Sequence, residues 1–331
     1  MALPAEVTNK SVADPIKISG FPAQSSAPTV GSCFGEFLRR IVPSHTAYSL
    51  ARGACEDAIK TLRTELRPAA AKRDGETAGD QPDHFIVGSV GKRTSVAPIG
   101  EVDVLYLLPE KLKAQKSGDA LKVVWAVLKN KFDGTKIGET SVVLRRGEHW
   151  VNVIPGRDHN GAFLIPGRPT VQRSSGWTIT NPVAEAATLR LSDSLYGGRP
   201  RLLLTVLKAW RDHSGVPISS YALELLSQEF YSGAPRPYDL ERAVVEFWAW
   251  ARKRTPCALK PPGGQSAVEV GTHWHQKAKA AYWRTTLAEH HVSTGKIVDA
   301  ALEWRQLLGP IFPVPGEGAP LAPPIFKEAN R

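Results

Sequence analysis

Phe85-Ile-Val-Gly-Ser-Val-Gly-Lys-Arg-Thr-Ser-Val-Ala-Pro-Ile-Gly-Glu-Val-Asp-Val-Leu-Tyr-Leu-Leu108 is the stretch on which the reading of this chain turns. It predicts an apolar strand over Phe85–Val87, a small-residue turn at Gly88-Ser89, and a second strand in which Glu101 and Asp103 alternate with apolar neighbours. Side chains at i and i+2 of a strand share a face, so both carboxylates point into one site. Gly88 lets backbone N–H groups approach a ligand closely, and consecutive amides in a tight turn form a concavity suited to phosphate oxygens. Mg²⁺ is held by one or two carboxylates together with substrate phosphates, and phosphoryl-group chemistry depends on positioning and charge neutralisation. A solvated strand face is the ordinary explanation of either half alone. Here eleven residues, 90–100, separate the halves, and the second strand runs into the apolar Val104–Leu108. The combination suits nucleotidyl transfer.

Working outward, 331 residues suffice for one large core or two ordinary ones, and two lobes with a cleft between them is the expected arrangement. Lys plus Arg number 42 against 32 for Asp plus Glu, and the net charge of +10 favours anionic partners. The excess is scattered apart from pairs such as Arg39-Arg40 and Arg145-Arg146, which reads as solvated surface; duplex nucleic acid is not an expected partner. Cys33, Cys55 and Cys257 are too few and too far apart for a disulfide framework or a Cys-x-x-Cys metal site. Pro4, Glu6 and Asp14 stand where a signal peptide needs an apolar core, and no run of eighteen apolar residues occurs. A cytoplasmic protein without a membrane partner is expected.

Residues 1–30 read as an extended arm rich in Pro, Ser, Ala and Thr, and Arg67–Asp83 as a flexible connection. Between them Ser44 caps a predicted helix striped with Tyr48, Ala51, Cys55, Ile59, Leu62 and Leu66. Gly118–Phe132 predicts a second helix, and Ser141–Leu144 and His149–Ile154 two further strands. Asn181-Pro182 opens a helix, followed by helices over Arg199–His213, from Ser219 or Ser220, and over Asp239–Thr255, His275–His291 and Lys296–Leu308. Cys257 lies in a Pro-flanked loop in this reading, and His273-x-His275 and His290-His291 lack supporting acids for zinc. From Pro313 a Pro-rich tail is expected to be extended.

Gly88-Ser89, Thr94, the pair Glu101 and Asp103, and Leu107-Leu108-Pro109 together resemble the signature of the DNA-polymerase-β-type nucleotidyltransferases. The pattern is closer to the cGAS/DncV-like branch, the bacterial cyclic-oligonucleotide synthases of CBASS anti-phage signalling, with oligoadenylate synthetases as cousins. The resemblance implies an α+β fold: a nucleotidyltransferase core with a mixed sheet over 31–185, a helical domain over 186–312, and a nucleotide cleft between. It also implies Mg²⁺ as cofactor with Mn²⁺ as a substitute, nucleoside triphosphates as substrates, and a regulatory protein as a candidate partner.

Residue by residue, the family's Lys-Ala-Trp and Ser-Tyr…Glu-Leu-Leu motifs fall on Lys208, Ser220 and Tyr221, whose counterparts touch the donor triphosphate and stack on its base. Without the resemblance these are a surface lysine, a routine cap and a core tyrosine. Lys92 and Arg93 read either as phosphate-neutralising or as solvated, and Thr94 as a strand-start hydroxyl rather than a ligand.

One departure stands out. The family's Val-Asp-Val-Val-Pro resembles Val151-Asn152-Val153-Ile154-Pro155 here, so an amide occupies the third metal position. Asn offers one neutral carbonyl oxygen and accepts no proton from an attacking hydroxyl. Glu148 shares its strand face but lies roughly 13 Å away along the strand, too far to substitute. Glu101 where the branch usually has Asp is a milder change. Two outcomes stay open: a synthase of cyclic or short linear oligonucleotides with a tuned metal site, or a nucleotide-binding sensor or scaffold that has given up synthesis.

Overall fold

The computed structural model describes residues 28–67, 82–112, 116–167, 175–233, 239–254, 256–263 and 266–317. Almost all of the expected N-terminal arm and most of the expected 67–83 connection and Pro-rich tail lie outside these residues.

The centre is a seven-stranded mixed sheet: β1 (His84–Val87), β2 (Glu101–Leu107), β3 (Lys136–Ile137), β4 (Val142–Arg146), β5 (His149–His159), β6 (Ala162–Pro166) and β7 (Trp177–Thr180). The order β1-β2-β5-β4-β3 makes β2 and β5 parallel neighbours, while β1 pairs antiparallel with β2 and β4 with β5. Parallel neighbours need a crossover. Here α4 (Ser117–Lys129), β3 and β4 supply it. The far half of β5 pairs with β6, and β6 with β7, so the Leu164 and Trp177 segments extend the sheet.

Strand alternation splits the sheet into two faces. Val102, Val104 and Tyr106 of β2, Val142 and Leu144 of β4, and Val151 and Val153 of β5 are buried with α4 and with α2 (His45–Leu66), which Ser44 caps as expected by accepting from the Ala47 amide. Phe85, Val87, Leu105, Leu107, Ile154 and Phe163 cluster separately. Glu101, Asp103 and Asn152 have the same strand parity as Leu105, Leu107 and Ile154.

A second core is helical. It unites α6 (Arg199–Ser214), α7 (Ser220–Ser232), α8 (Leu240–Ala251), α9 (His275–Ser293) and α10 (Ile297–Leu308). Sheet and helical core confirm the α+β expectation. The sequence reading started the nucleotidyltransferase core at residue 31, but Val30–Ile41 is a helix, α1, whose buried Phe34, Phe37, Leu38 and Ile41 belong to the helical core. A reciprocal cap starts it: the Thr29 hydroxyl accepts from the Ser32 amide, and the Ser32 hydroxyl accepts from the Thr29 amide. Two other boundaries move. Val314 packs into this core, so the tail is not free from residue 313. Cys257 lies not in a loop but in a short hairpin, β8 (Cys257–Leu259) with β9 (Val268–Val270).

Phe34 is fully buried, with its ring centroid 4.7 Å from that of Trp304 and 5.2 Å from that of Phe312. Deleting a ring so enclosed costs about 3–5 kcal/mol. Phe34→Ala is expected to lower the unfolding free energy by that amount in urea unfolding, while a substitution at exposed Leu50 leaves it unchanged.

Candidate active site

The site is assembled by strand register. Asp103 stands opposite Asn152 across the parallel β2–β5 ladder and opposite Val87 across β1–β2; Glu101 stands opposite Trp150. The three expected polar side chains therefore meet: the Asn152 amide nitrogen donates to Asp103 Oδ1 at 2.9 Å and to Glu101 Oε2 at 3.4 Å. All three are partly exposed, on a face whose strands present valines to the rear. Glu148 is not part of the group; its side chain is 94% exposed and lies 3.9 Å from the Arg145 guanidinium.

Gly88 closes the site from the β1 side. Its φ of +61° is a left-handed conformation, and a Cβ there would lie 2.2 Å from Asp103 Oδ2. The turn is thus pressed against the carboxylate. It continues as a short helix, α3 (Gly88–Lys92), which the sequence reading took for a simple turn. Gly91, which that reading did not single out, allows the fold-back: a Cβ would meet the Ile86 carbonyl oxygen at 2.2 Å. The Thr94 amide donates to the Ser89 carbonyl at 2.8 Å, and the Ser95 hydroxyl donates to that of Ser89 at 3.0 Å. The Ser95 amide donates to the Tyr48 hydroxyl at 3.2 Å, tying the loop to α2.

Lys92 answers to neither of its expected readings. It is buried, and its ammonium donates to Glu224 at 2.7 Å and to Glu185 at 3.0 Å. Burial alone would lower its pKa, but the two carboxylates outweigh burial and raise it. Glu185 lies on α5 (Pro182–Leu195) and Glu224 on α7, so the end of α3 is bound to the helices. Their sequence signal was an acid inside an apolar run, Val-Ala-Glu-Ala-Ala and Leu-Glu-Leu-Leu.

Lys208 is buried rather than on the surface, and it reaches the loop through Thr94, donating to its carbonyl at 2.8 Å and its hydroxyl at 3.0 Å. The Tyr221 hydroxyl donates to Glu185 at 2.9 Å, with Lys92 Nζ 5.4 Å from the ring centroid. Ser219 is the cap of α7, while the Ser220 hydroxyl accepts from Arg211 at 2.6 Å. Lys92, Lys208 and Tyr221 therefore gather around the 88–95 loop.

The two carboxylates fit a hard, oxygen-preferring cation such as Mg²⁺, whereas Asn152 turns its NH₂, a donor and not a ligand, toward them, so its carbonyl oxygen would join the set only with the amide rotated. Among the described residues no group of three or more His, Cys, Asp or Glu is arranged so that it could hold a metal ion. No helix among them is long and apolar enough to cross a membrane.

This is the fold of the CD-NTases, the cGAS/DncV-like nucleotidyltransferases. In particular, the chain is similar to CdnC of Escherichia coli MS115-1, solved with ATP, at a TM-score of 0.64 and 12% identity over 85% of this chain and 98% of that one. It is similar to DncV of Vibrio cholerae, a cyclic AMP-GMP synthase solved with the linear intermediate 5′ pppA(3′,5′)pG, at 0.58 and 16% over 85% of each chain. For the CD-NTase CdnG of Bradyrhizobium diazoefficiens, solved with GTP, the values are 0.61 and 11% over 86% and 96%. No protein-family model and no curated protein matches by sequence.

Two expectations follow from the geometry. Gly88→Ala forces the Asp103 carboxylate aside and adds left-handed strain of roughly 1–2 kcal/mol; it is expected to retain the far-UV circular dichroism of the parent and lose at least tenfold in Mg²⁺-dependent ATP binding by calorimetry. The second concerns Lys208, whose pKa is pushed by burial from 10.5 down to about 7. Between those values the unfolded chain holds a proton that the folded chain has released, so stability rises with pH across the window. In paired denaturation curves the wild type is expected to gain stability relative to Lys208→Met from pH 7 toward 10.5.

Proposed function

We propose that this chain is a metal-dependent nucleotidyltransferase that joins nucleoside triphosphates into a short linear or cyclic oligonucleotide for anti-phage signalling. The observation that carries the reading is the meeting of Glu101, Asp103 and Asn152 beside Gly88. The fold shared with CdnC, DncV and CdnG supports it.

Glu101 and Asp103, joined by the amide oxygen of Asn152 once that side chain rotates its NH₂ away from them, would hold Mg²⁺, which when bound supplies charge neutralisation for the triphosphate. The amides of Gly88 and Ser89 cradle the triphosphate. Lys208 steadies the loop beneath it through Thr94. A ribose hydroxyl attacks the α-phosphate, its oxygen bonding to phosphorus as the bond to the β-phosphate oxygen breaks, and pyrophosphate leaves. The hydroxyl proton passes to water or to Asp103, because Asn152 takes none. Tyr221, on the helical side, would stack on the donor base. CdnC has also been solved with a HORMA protein, and a regulatory partner of this chain is part of the same proposal.

A second reading has its own observation. The Asn152 amide nitrogen already donates to one oxygen of each carboxylate. A chain so arranged can bind nucleotide without turning it over, as a sensor or scaffold.

The test is pyrophosphate release from the four triphosphates with Mg²⁺ or Mn²⁺, alone and with phage extract. Slow release is expected from the wild type, none from Asp103→Asn, and about 10²-fold or more faster release from Asn152→Asp, the scale of a restored general base. Silence in the wild type with a gain in Asn152→Asp and unchanged triphosphate binding selects the sensor. Silence in both, with no triphosphate bound, rejects the whole reading.

A further inference from the structure

Side chains of neighbouring strands stand in rows across the site face. Val87, Asp103, Asn152 and Val143 form one row, and Glu101, Trp150 and Arg145 the next. Trp150 is 37% exposed although it stands opposite a candidate metal ligand, and the Arg145 guanidinium carbon lies 5.3 Å from its ring centroid. Its backbone is held firmly: the Trp150 amide donates to the Gly100 carbonyl at 2.8 Å, and the His149 ring is 2.9 Å from the Ile99 carbonyl. The adjacent Val151 and Val153 are fully buried on the other face. A rigidly mounted indole with an accessible surface beside two carboxylates has the makings of a binding platform.

Strand order gives the platform a side. The Gly88 turn extends β1, the acids lie on β2, Asn152 and Trp150 on β5, and Arg145 on β4. In-line displacement places the attacking and leaving oxygens on opposite sides of the phosphorus. With pyrophosphate leaving on the Gly88 side, the hydroxyl arrives from the β5 side. We infer that Trp150, backed by Arg145, stacks on the base of the acceptor nucleotide, the one whose ribose hydroxyl attacks, and so sets which acceptor is used. This rests on the nucleotidyltransferase reading above. The acceptor is a purine nucleotide or the purine end of a linear oligonucleotide, because a two-ring base covers more of an indole than a pyrimidine does. Arg145 adds a cation beside the ring for the acceptor's phosphate.

The probe is the linear dinucleotide ApA, which has no triphosphate and cannot serve as donor. Full-length protein is titrated with ApA by calorimetry, with Mg-ATP titrated in parallel. Base stacking on an aromatic is worth about tenfold in affinity or more. Trp150→Ala and Trp150→Leu are expected to weaken ApA by about tenfold or more, and Trp150→Phe by no more than about threefold. The first Mg-ATP bound, on the donor side, is expected to keep its affinity in all three. The Leu variant keeps apolar bulk without a π-face, so wild-type ApA binding by it overturns the platform even if the Ala variant misfolds. Failure of the wild type to bind ApA overturns it as well. Pyrophosphate release, measured on the same proteins, separates the two claims: no release with Trp150-dependent ApA binding removes the enzyme and keeps the platform, and release with Trp150-independent ApA binding does the reverse.

Discussion

The parallel register of β2 against β5 is the constraint on which the site depends. Asp103 opposite Asn152, and Glu101 one pair along, follow from it directly. A slip of one residue would turn both carboxylates into the core behind the sheet and bring Val102 and Val104 out to solvent. Those valines, with Val151 and Val153, are fully buried against α2 and α4. Burying each is worth about 1.5–3 kcal/mol. The geometry of the polar face is thus fixed by the apolar face, and the acids need no interaction of their own to stay together.

The second organising feature is charge rather than packing. The sheet and the helices have separate hydrophobic cores, and α3 is attached to both. Its first residue, Gly88, abuts Asp103, while its last, Lys92, is enclosed by Glu185 and Glu224. A buried cation held by two acids is a poor source of net stability, but removing one partner leaves an uncompensated charge and costs roughly 3–5 kcal/mol. Such a contact gains little and specifies much. It fixes where the Gly88 turn sits relative to the helices that carry Lys208 and Tyr221.

Much of this was legible in the sequence, for physical reasons that differ by residue. The spacing of Glu101, Asp103 and Asn152 could be read because strand alternation is a strict period of two and the flanking valines advertise the buried face. Ser44, Asn181 and the Ser219-Ser220 pair could be read because caps are local chemistry. What escaped depends on contacts between distant segments. Lys92 reads as an ordinary lysine after a turn, and only the fold brings Glu185 and Glu224, 93 and 132 residues away, onto it. Helix α1 escaped because its Thr29-x-x-Ser32 cap lies at the edge of a low-complexity arm and its partners, Trp304 and Phe312, come from the far end of the chain. Strands β6 and β7 and those of the Cys257 hairpin are three to five residues each, with Pro or Gly close outside their ends, so periodicity had little to act on.

Asn152 also changes the electrostatics of its neighbours. A carboxylate there would stand about 3 Å from Asp103, where like charges strongly oppose joint ionisation. The amide removes that repulsion and donates a hydrogen bond to Asp103 instead. In the proposed reaction that change falls unevenly. On the β1 side the substrate brings phosphates, and Gly88, Glu101 and Asp103 are all in place to meet them. On the β5 side a hydroxyl must be oriented and deprotonated with one acid fewer. What the chain still offers on that side is position. Trp150 and Arg145 are the side chains that β5 and β4 present for it, which is why their contribution is expected to weigh more here than in a site with a full set of acids.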